Sequence, residues 1–324
     1  MKLVVMIPCL NEEATLPLVF ATMPKSIPGI DEIEILVIDD GCTDRTVEVA
    51  KEFGVKQFVY HTRNQGMSRA VKHGLSRALE LGADVIAMTE GDNQYPQERI
   101  PDLVRPILEG KADVVIGDRQ TQTIEHFSAT TKFFQKFGTW VLNRVAGTNV
   151  PDAITGFRAW SREAALALNP IANFSWATET TIQASRKRQA IMSIPIKTGP
   201  KLRESRNYKS KWQHIRKSSI TIVRGLVTYN SYAVFFTLGV IMLIGGLIPF
   251  IHYIFAVFFT PKTAYGSHHL QSLIIGAVIL TASFISFTLG VVADMISVNR
   301  ALLEDILTEA KRSRFDATRK RKEQ

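Results

Sequence analysis

The chain has 324 residues, a formal net charge of +9 and 46% hydrophobic residues, which suits one large domain with an appendage or two domains. Residues 1–200 carry 22 Lys/Arg and 23 Asp/Glu, a net of −1, whereas residues 201–324 carry 17 and 7, a net of +10. The basic excess therefore lies in the last third, beside long apolar segments. This distribution disfavours a nucleic-acid-binding domain and favours contact with anionic lipid head groups.

The N-terminal residues predict a first strand rather than a targeting segment. The apolar run of residues 3–8 is short, and a signal peptide needs a longer apolar core and a cleavage site. We therefore expect the N-terminal domain to stay in the cytoplasm. The two cysteines, Cys9 and Cys42, lack metal-type spacing and are expected to be small packing residues.

Short apolar strands alternate with helices along the first 200 residues, which is typical of a doubly wound α/β sheet. No Gly-x-Gly-x-x-Gly or Walker-type loop follows the first strand, so a dinucleotide or P-loop site has little support. The pattern predicts strands at 3–8, 33–38, 57–60, 83–88 and 113–116, and helices opening near 11–14 and at 45–53, 68–81 and 98–109.

Two of these strands end in acid clusters. Strand 33–38 runs into Asp39-Asp40-Gly41, and strand 83–88 runs into Glu90-Gly91-Asp92. Ligands of α/β sheets bind at the carboxyl ends of the strands. Crowded carboxylates repel one another unless a cation lies between them, and a hard divalent cation carrying a nucleotide diphosphate meets that need. The sequence therefore predicts a metal-dependent nucleotide-sugar site.

Two apolar segments, 232–259 and 270–292, each exceed the roughly 20 residues needed to cross a bilayer. The short link between them predicts a transmembrane hairpin. Eight Lys/Arg in 201–224 and eight in 300–324, against one in the link, orient both termini and the N-terminal domain toward the cytoplasm.

The predicted organisation has four parts. They are an α/β domain at 1–208 with the predicted site, an amphipathic interfacial helix at 209–230, the transmembrane hairpin at 231–298 and a basic cytoplasmic tail at 299–324. We expect the basic tail to bind anionic lipid.

Four motifs occur in order: Ile-Pro-Cys-Leu-Asn-Glu-Glu at 7–13, Val-Ile-Asp-Asp-Gly-Cys-Thr-Asp at 37–44, Glu-Gly-Asp-Asn-Gln-Tyr at 90–95 and Thr-Gly-Phe-Arg at 155–158. Together they resemble the family 2 glycosyltransferases of GT-A fold, a Rossmann-like nucleotide-diphospho-sugar transferase domain. With the C-terminal hairpin, the chain resembles the polyprenyl-phosphate sugar transferases over nearly its whole length. The resemblance implies inverting transfer from a UDP- or GDP-linked sugar to a dolichyl or undecaprenyl phosphate, and possible homo-oligomers.

The resemblance also implies roles for individual residues. Asp92 is the expected ligand of Mg²⁺ or Mn²⁺. Glu90 stands where the family has Asp, so its contact with the metal, with ribose or with the sugar stays open. Asp152 lies beside the transferred sugar in the family, either as a base or as an orienting group. The implied nucleotide-sugar set is Pro8, Asn11, Glu13, Asp39, Asp40, Glu90, Gly91, Gln94 and Glu179.

A phosphate monoester is already ionised near neutral pH, so such an acceptor needs cationic positioning more than a general base. The expected acceptor-phosphate residues are Arg119, Lys132, Lys136, Arg203 and Arg206, the last two in a loop over the diphosphate. Two alternatives stay open. The acceptor can be a glycolipid or diacylglycerol hydroxyl, with Asp152 as base, or the domain can be a non-catalytic membrane anchor that binds a nucleotide sugar.

Overall fold

The computed structural model describes residues 1–120, 129–170, 176–199, 227, 230–259 and 268–323. The loop with Arg203 and Arg206 lies outside these ranges, as does nearly all of the predicted interfacial helix 209–230. The chain divides into two units, which are described separately. The first comprises Met1–Ile222 and Glu304–Gln324, and the second is Val223–Leu303.

The first unit is built on one mixed sheet. Its strands are β1 (Lys2–Cys9), β2 (Glu32–Asp39), β3 (Gln57–Tyr60), β4 (Val85–Met88), β5 (Val114–Asp118), β6 (Arg158–Ser161) and β7 (Ile191–Pro195). The order across the sheet is β3-β2-β1-β4-β6-β5-β7. Strand β6 runs antiparallel to both neighbours, and every other pairing is parallel. The alternation in the sequence predicts the parallel strands, but not the insertion of β6 between β4 and β5.

Helices cover both faces of the central strands. Leu3, Val5 and Ile7 of β1 join the core cluster on one face. On the other face Met6 reaches Gly74, whose absent side chain leaves room for the methionine sulfur. Seven α-helices are described in the first unit up to β7: α1 (Leu16–Ala21), α2 (Thr46–Glu52), α3 (Met67–Glu80), α4 (Ile100–Leu108), α5 (Ala129–Ala146), α6 (Arg162–Ala167) and α7 (Trp176–Arg186).

Most predicted elements are found within two residues of their expected ends. The first helix is the exception, because it begins at Leu16 rather than near Asn11. Asn11 has a φ of +54°, which a right-handed helix excludes, while a proline in the first turn fixes the later start. The loop from Asn11 to Thr15 is thereby left free to line the end of β1.

The register of the strands gathers the predicted site at one edge. Cys9 at the end of β1 lies opposite Asp39 at the end of β2, and Met88 at the end of β4 lies opposite Arg158. Because β6 is antiparallel, its first residue stands at the edge where the parallel strands finish. The loop that precedes Arg158 therefore joins the two acid clusters at this edge.

The second unit contains helix α8 (Ser231–Phe259) and most of helix α9 (His268–Glu323). Both are long and apolar enough to cross a membrane, as predicted. Gly239 faces the ring of Phe287, and the hydroxyls of Ser283 and Ser286 donate to carbonyls of α8 at 2.8 Å each. Small residues and interhelical hydrogen bonds are typical of paired membrane helices.

Helix α9 continues well beyond the predicted end of the second span, and its last part packs within the first unit. Phe315 is only 1% exposed and, with Leu75, Leu79 and Ala165, lines a small cavity of this unit. Around it, Arg312 pairs with Glu163, Arg314 with Glu80 and Asp316 with Arg162. The segment that we expected to bind lipid thus has a protein contact.

Candidate active site

Asn11 and Glu13 tie the loop after β1 to the loop after β2. The side-chain oxygen of Asn11 accepts a hydrogen bond from the Thr43 amide at 2.7 Å, and Glu13 accepts one from the Arg45 amide at 2.9 Å. The Glu13 carboxylate therefore lies at the N-terminus of α2, where the helix dipole favours an anion. Pro8, at the end of β1, is buried. Both loops form one rim at the end of the first two strands.

The paired acids after β2 have different partners. Asp39 accepts a hydrogen bond from the Cys42 amide at 2.7 Å. Asp40 accepts bonds from the amides of Gln65 and Gly66 at 2.8 and 2.9 Å. Asp40 therefore anchors the loop 63–66 at the end of β2, and a direct contact between Asp40 and a nucleotide stays a prediction.

Gly41 explains why this loop can approach so closely. A Cβ at Gly41 would lie 2.5–2.6 Å from backbone atoms of Arg63 and Asn64, and its φ is +80°. Both the space and the dihedral angle require glycine. The Asp-Asp-Gly motif thus has a packing role besides any role in binding.

The second acid cluster forms a tight turn after β4. The Asp92 carboxylate is buried and accepts hydrogen bonds from the amide and the side-chain nitrogen of Gln94 at 3.2 and 2.7 Å. A Cβ at Gly91 would approach the Cys9 sulfur at 3.0 Å. Burial, followed by the negative charges near it, raises the pKa of the Cys9 thiol well above its usual value. Cys9 is therefore a packing residue, as predicted, rather than a nucleophile.

Glu90 joins this turn to the loop before β6. A Cβ at Gly156 would lie 2.2 Å from a carboxylate oxygen of Glu90, so a side chain at this position would displace that carboxylate. The Tyr95 hydroxyl accepts a hydrogen bond from the Gly156 amide at 3.0 Å, and its ring stacks on Phe157. Burial and then the charge of Glu90 raise the pKa of Tyr95 to about 12. Tyr95 therefore keeps its proton at neutral pH.

Asp152 and Arg119 form a buried bidentate ion pair. Arg119 donates from Nε and Nη2 to the two carboxylate oxygens at 2.6 and 3.1 Å, and the Asp152 side chain is 4% exposed. The amides of Arg119 and Ile154 also point to this carboxylate, at 3.3 Å each. Burial opposes ionisation, but the bonds and charge of Arg119 outweigh it and lower the pKa of Asp152.

Arg158 is a site residue whose role the sequence reasoning missed. Its side chain is fully buried and donates to the carbonyls of Ala153, Thr155 and Ala177 at 2.6, 2.8 and 3.0 Å. Burial lowers its pKa to about 10, so it remains a cation. It holds the Asp152 loop against the first turn of α7, where Glu179 is 5% exposed. The sequence signal was its place at the end of the Thr-Gly-Phe-Arg motif at 155–158.

Helix α5 carries the two lysines predicted for the acceptor. Lys132 is half-buried and Lys136 is exposed. Beside them, Phe137 and Trp140 are 44% and 61% exposed, and their ring centroids lie 6.0 Å apart. This helix therefore presents cations and large aromatic side chains together on its exposed surface.

The chain returns to the Asp92 turn just before the predicted loop over the diphosphate. The Gly199 amide donates to the Gln94 carbonyl at 2.9 Å. Arg203 and Arg206 follow outside the described residues, and their contact with a phosphate stays a prediction.

Asp92 and Glu90 remain the side chains predicted to hold a divalent cation. Both have hard oxygen donors, and Gln94 is hydrogen-bonded to Asp92. Within the described parts of the chain, no three His, Cys, Asp or Glu side chains converge as a complete metal site. Mg²⁺ is commonly held by one or two carboxylates, with substrate phosphates and water filling the other positions. The donor set therefore fits a metal that binds together with a diphosphate.

Residues 4–168 match the family model described as Glycosyl transferase family 2. The chain belongs to this family. The dolichol-phosphate mannosyltransferase of Pyrococcus furiosus is 31% identical over 221 residues, which cover 65% of this chain and 60% of that protein. The undecaprenyl-phosphate mannosyltransferase of Micrococcus luteus is 25% identical over 206 residues, which cover 60% of this chain and 83% of that protein. The dolichyl-phosphate hexose transferase of Haloferax volcanii is 30% identical over 190 residues, which cover 57% of this chain and 78% of that protein.

The fold is also that of a solved glycosyltransferase. Glucosyl-3-phosphoglycerate synthase from Mycobacterium tuberculosis, in complex with Mn²⁺, UDP and phosphoglyceric acid, matches with a TM-score of 0.53 at 21% identity, over 70% of this chain and 78% of that one. Its complex with Mg²⁺ and UDP matches with a TM-score of 0.51. The predicted family and the predicted GT-A fold are both confirmed.

Proposed function

We propose that this glycosyltransferase moves a sugar, with inversion, from a UDP- or GDP-linked donor to a polyprenyl phosphate at the cytoplasmic face of a membrane. The observation that carries the proposal is the buried Arg119–Asp152 pair at the edge where the two acid clusters meet. It offers a fixed cation beside the expected sugar site, with a carboxylate that is already engaged by that cation. The relatives that transfer sugars to dolichyl and undecaprenyl phosphates support the same acceptor class.

The donor is expected at the ends of β1, β2 and β4. The nucleoside would lie at the rim formed by Asn11, Glu13 and Asp39, and the diphosphate near Asp92 and Glu90. A bound Mg²⁺ or Mn²⁺ would neutralise the departing diphosphate. Asp92 and Glu90 would hold that ion, and the Gly199 amide donates to the Gln94 carbonyl of the same turn.

The state of Asp152 favours a phosphate acceptor over a hydroxyl. Both of its oxygens accept hydrogen bonds from Arg119, and its pKa is lowered, so it is a weak base. A hydroxyl acceptor would need a base to take its proton, whereas a phosphate monoester is already ionised. An acceptor phosphate oxygen would attack the anomeric carbon while the bond to the diphosphate breaks on the opposite face.

Arg119 can serve such an acceptor without leaving Asp152. Its guanidinium donates to the carboxylate from Nε and Nη2, and a guanidinium has five N–H groups. The remaining N–H groups could donate to a phosphate oxygen, with Lys132 and Lys136 as further cations. Asp152 would then orient Arg119 rather than act on the substrate proton.

Two features support a lipid acceptor. The chain has two candidate membrane spans, and α5 exposes Phe137 and Trp140 next to Lys136. Aromatic and basic side chains on one helix surface suit the interface of a membrane with anionic lipids. The excess of Lys/Arg on both sides of the spans supports cytoplasmic termini.

The test is a transfer assay with the detergent-purified full chain. It would be given a panel of UDP- and GDP-sugars, a short polyprenyl phosphate, Mg²⁺ or Mn²⁺, and EDTA as control. The matched acceptor control is the polyprenol without its phosphate. We expect metal-dependent label on the polyprenyl phosphate alone, with the anomeric configuration inverted by NMR. Label on the polyprenol or on diacylglycerol would favour the hydroxyl acceptor instead. Nucleotide-sugar binding without any release of nucleotide would refute the enzymatic function.

A further inference from the structure

The side chains of Asp40, His61 and His73 form a hydrogen-bonded chain from the end of β2 to the surface of α3. The proposed chemistry does not use the two histidines. Nδ1 of His61 lies 2.7 Å from a carboxylate oxygen of Asp40, and Nε2 of His61 lies 2.8 Å from Nδ1 of His73. Asp40 and His61 are 5% and 6% exposed, whereas His73 is exposed. The chain of bonds thus links β2, the residue after β3, and the middle of α3.

The partners decide which nitrogen carries each hydrogen. Asp40 already accepts from two backbone amides, those of Gln65 and Gly66. A carboxylate so placed presents a further lone pair to His61, so Nδ1 of His61 donates. Nε2 of a neutral His61 is then an acceptor, and Nδ1 of His73 must donate to it. The opposite tautomer would turn a ring lone pair toward the carboxylate.

Asp40, at the inner end of this chain of bonds, holds the loop 63–66 by hydrogen bonds. Asp40 is the common partner of His61 and of the two loop amides. The same loop packs its backbone against Gly41, and Gly41 lies directly after the acid pair that begins with Asp39. The histidines are therefore linked through Asp40 to the end of β2, where the nucleoside is expected to bind.

We infer that His61 and His73 are positioning residues for the donor site. Together they fix the Asp40 carboxylate, and through it the loop 63–66, at the expected nucleotide-binding end of β2. This inference rests on the proposed function, since it assumes that a nucleotide diphosphate binds there. It predicts that loss of the histidine link weakens nucleotide binding and leaves the rate at saturating donor nearly unchanged.

The exposed histidine offers the cleanest test. In His73→Leu the hydrogen-bond donor to His61 is lost, whereas in His73→Asn a side-chain N–H can replace the imidazole Nδ1–H. Lys72→Leu is the matched control, because it changes the preceding residue of α3 without touching the chain of bonds. Each full-length variant would be titrated with UDP and with GDP by calorimetry, and assayed for donor KM and kcat.

We expect His73→Leu to weaken nucleotide binding by about three- to tenfold, as for the loss of one hydrogen bond. His73→Asn and Lys72→Leu should stay within about twofold of the wild type. Long-range ¹H–¹⁵N NMR of the imidazoles should show His73 protonated at Nδ1. Unchanged nucleotide affinity in His73→Leu, or equal losses of nucleotide affinity in His73→Leu and His73→Asn, would overturn this inference and leave the proposed function standing. A wild type that binds neither nucleotide would overturn the proposed function with it.

Discussion

Replacement of Asp152 by asparagine tests the Arg119–Asp152 ion pair. Asparagine has nearly the same shape, but it lacks the negative charge and has an N–H₂ group in place of one oxygen. That group would face an N–H of Arg119, so at least one of the bonds at 2.6 and 3.1 Å is lost. The guanidinium would remain in a buried place without its counter-ion.

The expected loss of stability follows from that burial. Removal of one partner from a buried ion pair costs about 3–5 kcal/mol, because an uncompensated charge is left behind. The Arg119 side chain keeps 19% of its exposure, so solvent relieves part of the cost and we expect about 3 kcal/mol. For a domain of this size, about 2–4 °C of Tm corresponds to 1 kcal/mol, which gives a fall of about 6–12 °C.

The assay is thermal unfolding of the detergent-purified chain, with Asp118→Asn as the matched control. Asp118 precedes Arg119, and its carboxylate accepts a bond from the Gln120 amide. This control should cost no more than about 1 kcal/mol. In the double variant Arg119→Met with Asp152→Asn, part of the lost stability should return, because no buried charge is then unpaired. Equal Tm values for the two aspartate variants, or strict additivity in the double variant, would refute the ion-pair reasoning.

Three further predictions concern pH, the Glu90 contact and the C-terminal helix. Since the pKa of Asp152 is lowered in the folded protein, its stabilising contribution is present above its unfolded pKa of about 3.9 and is lost as pH falls through the folded value. The difference in the free energy of unfolding between wild type and Asp152→Asn, measured with denaturant, should therefore be constant from about pH 5 to 8 and decrease only in stronger acid. A difference that disappears near neutral pH would contradict this. Gly156→Ala should raise the donor KM, because the new Cβ would lie 2.2 Å from the Glu90 carboxylate and must displace it; an unchanged KM would show that this position is not critical. Phe315→Ala should lower the free energy of unfolding by about 3–5 kcal/mol, because this side chain is only 1% exposed. The control Phe137→Ala should lower it much less, because Phe137 is 44% exposed. Similar losses in the two variants would contradict the packing described for the C-terminal helix.

The sequence by itself determined the order of the first five strands and the helices between them, the family and the two apolar helices of membrane-spanning length. These features depend on local patterns: apolar runs of strand length, acid clusters directly after strands, and apolar segments longer than a bilayer is thick. Each pattern is complete within about 30 residues. The structure accordingly reproduces most predicted elements within two residues, and the resemblance of the four motifs was sufficient to identify the family.

Only the tertiary structure decided which residues of the site contact one another. Arg158 is a charged residue in the sequence, yet it is fully buried because two backbone carbonyls of the preceding loop and one of α7 accept its hydrogen bonds. Asp39 and Asp40 are adjacent acids, but it is Asp40 that meets the loop 63–66. The basic tail resembles a lipid anchor in the sequence, whereas in the structure Phe315 is buried and lines a cavity with Leu75 and Leu79 of the first unit. In each case at least one partner comes from another element of the fold, such as Ala177 for Arg158. A local pattern carries no information about which distant groups will satisfy a buried charge or cover an apolar ring.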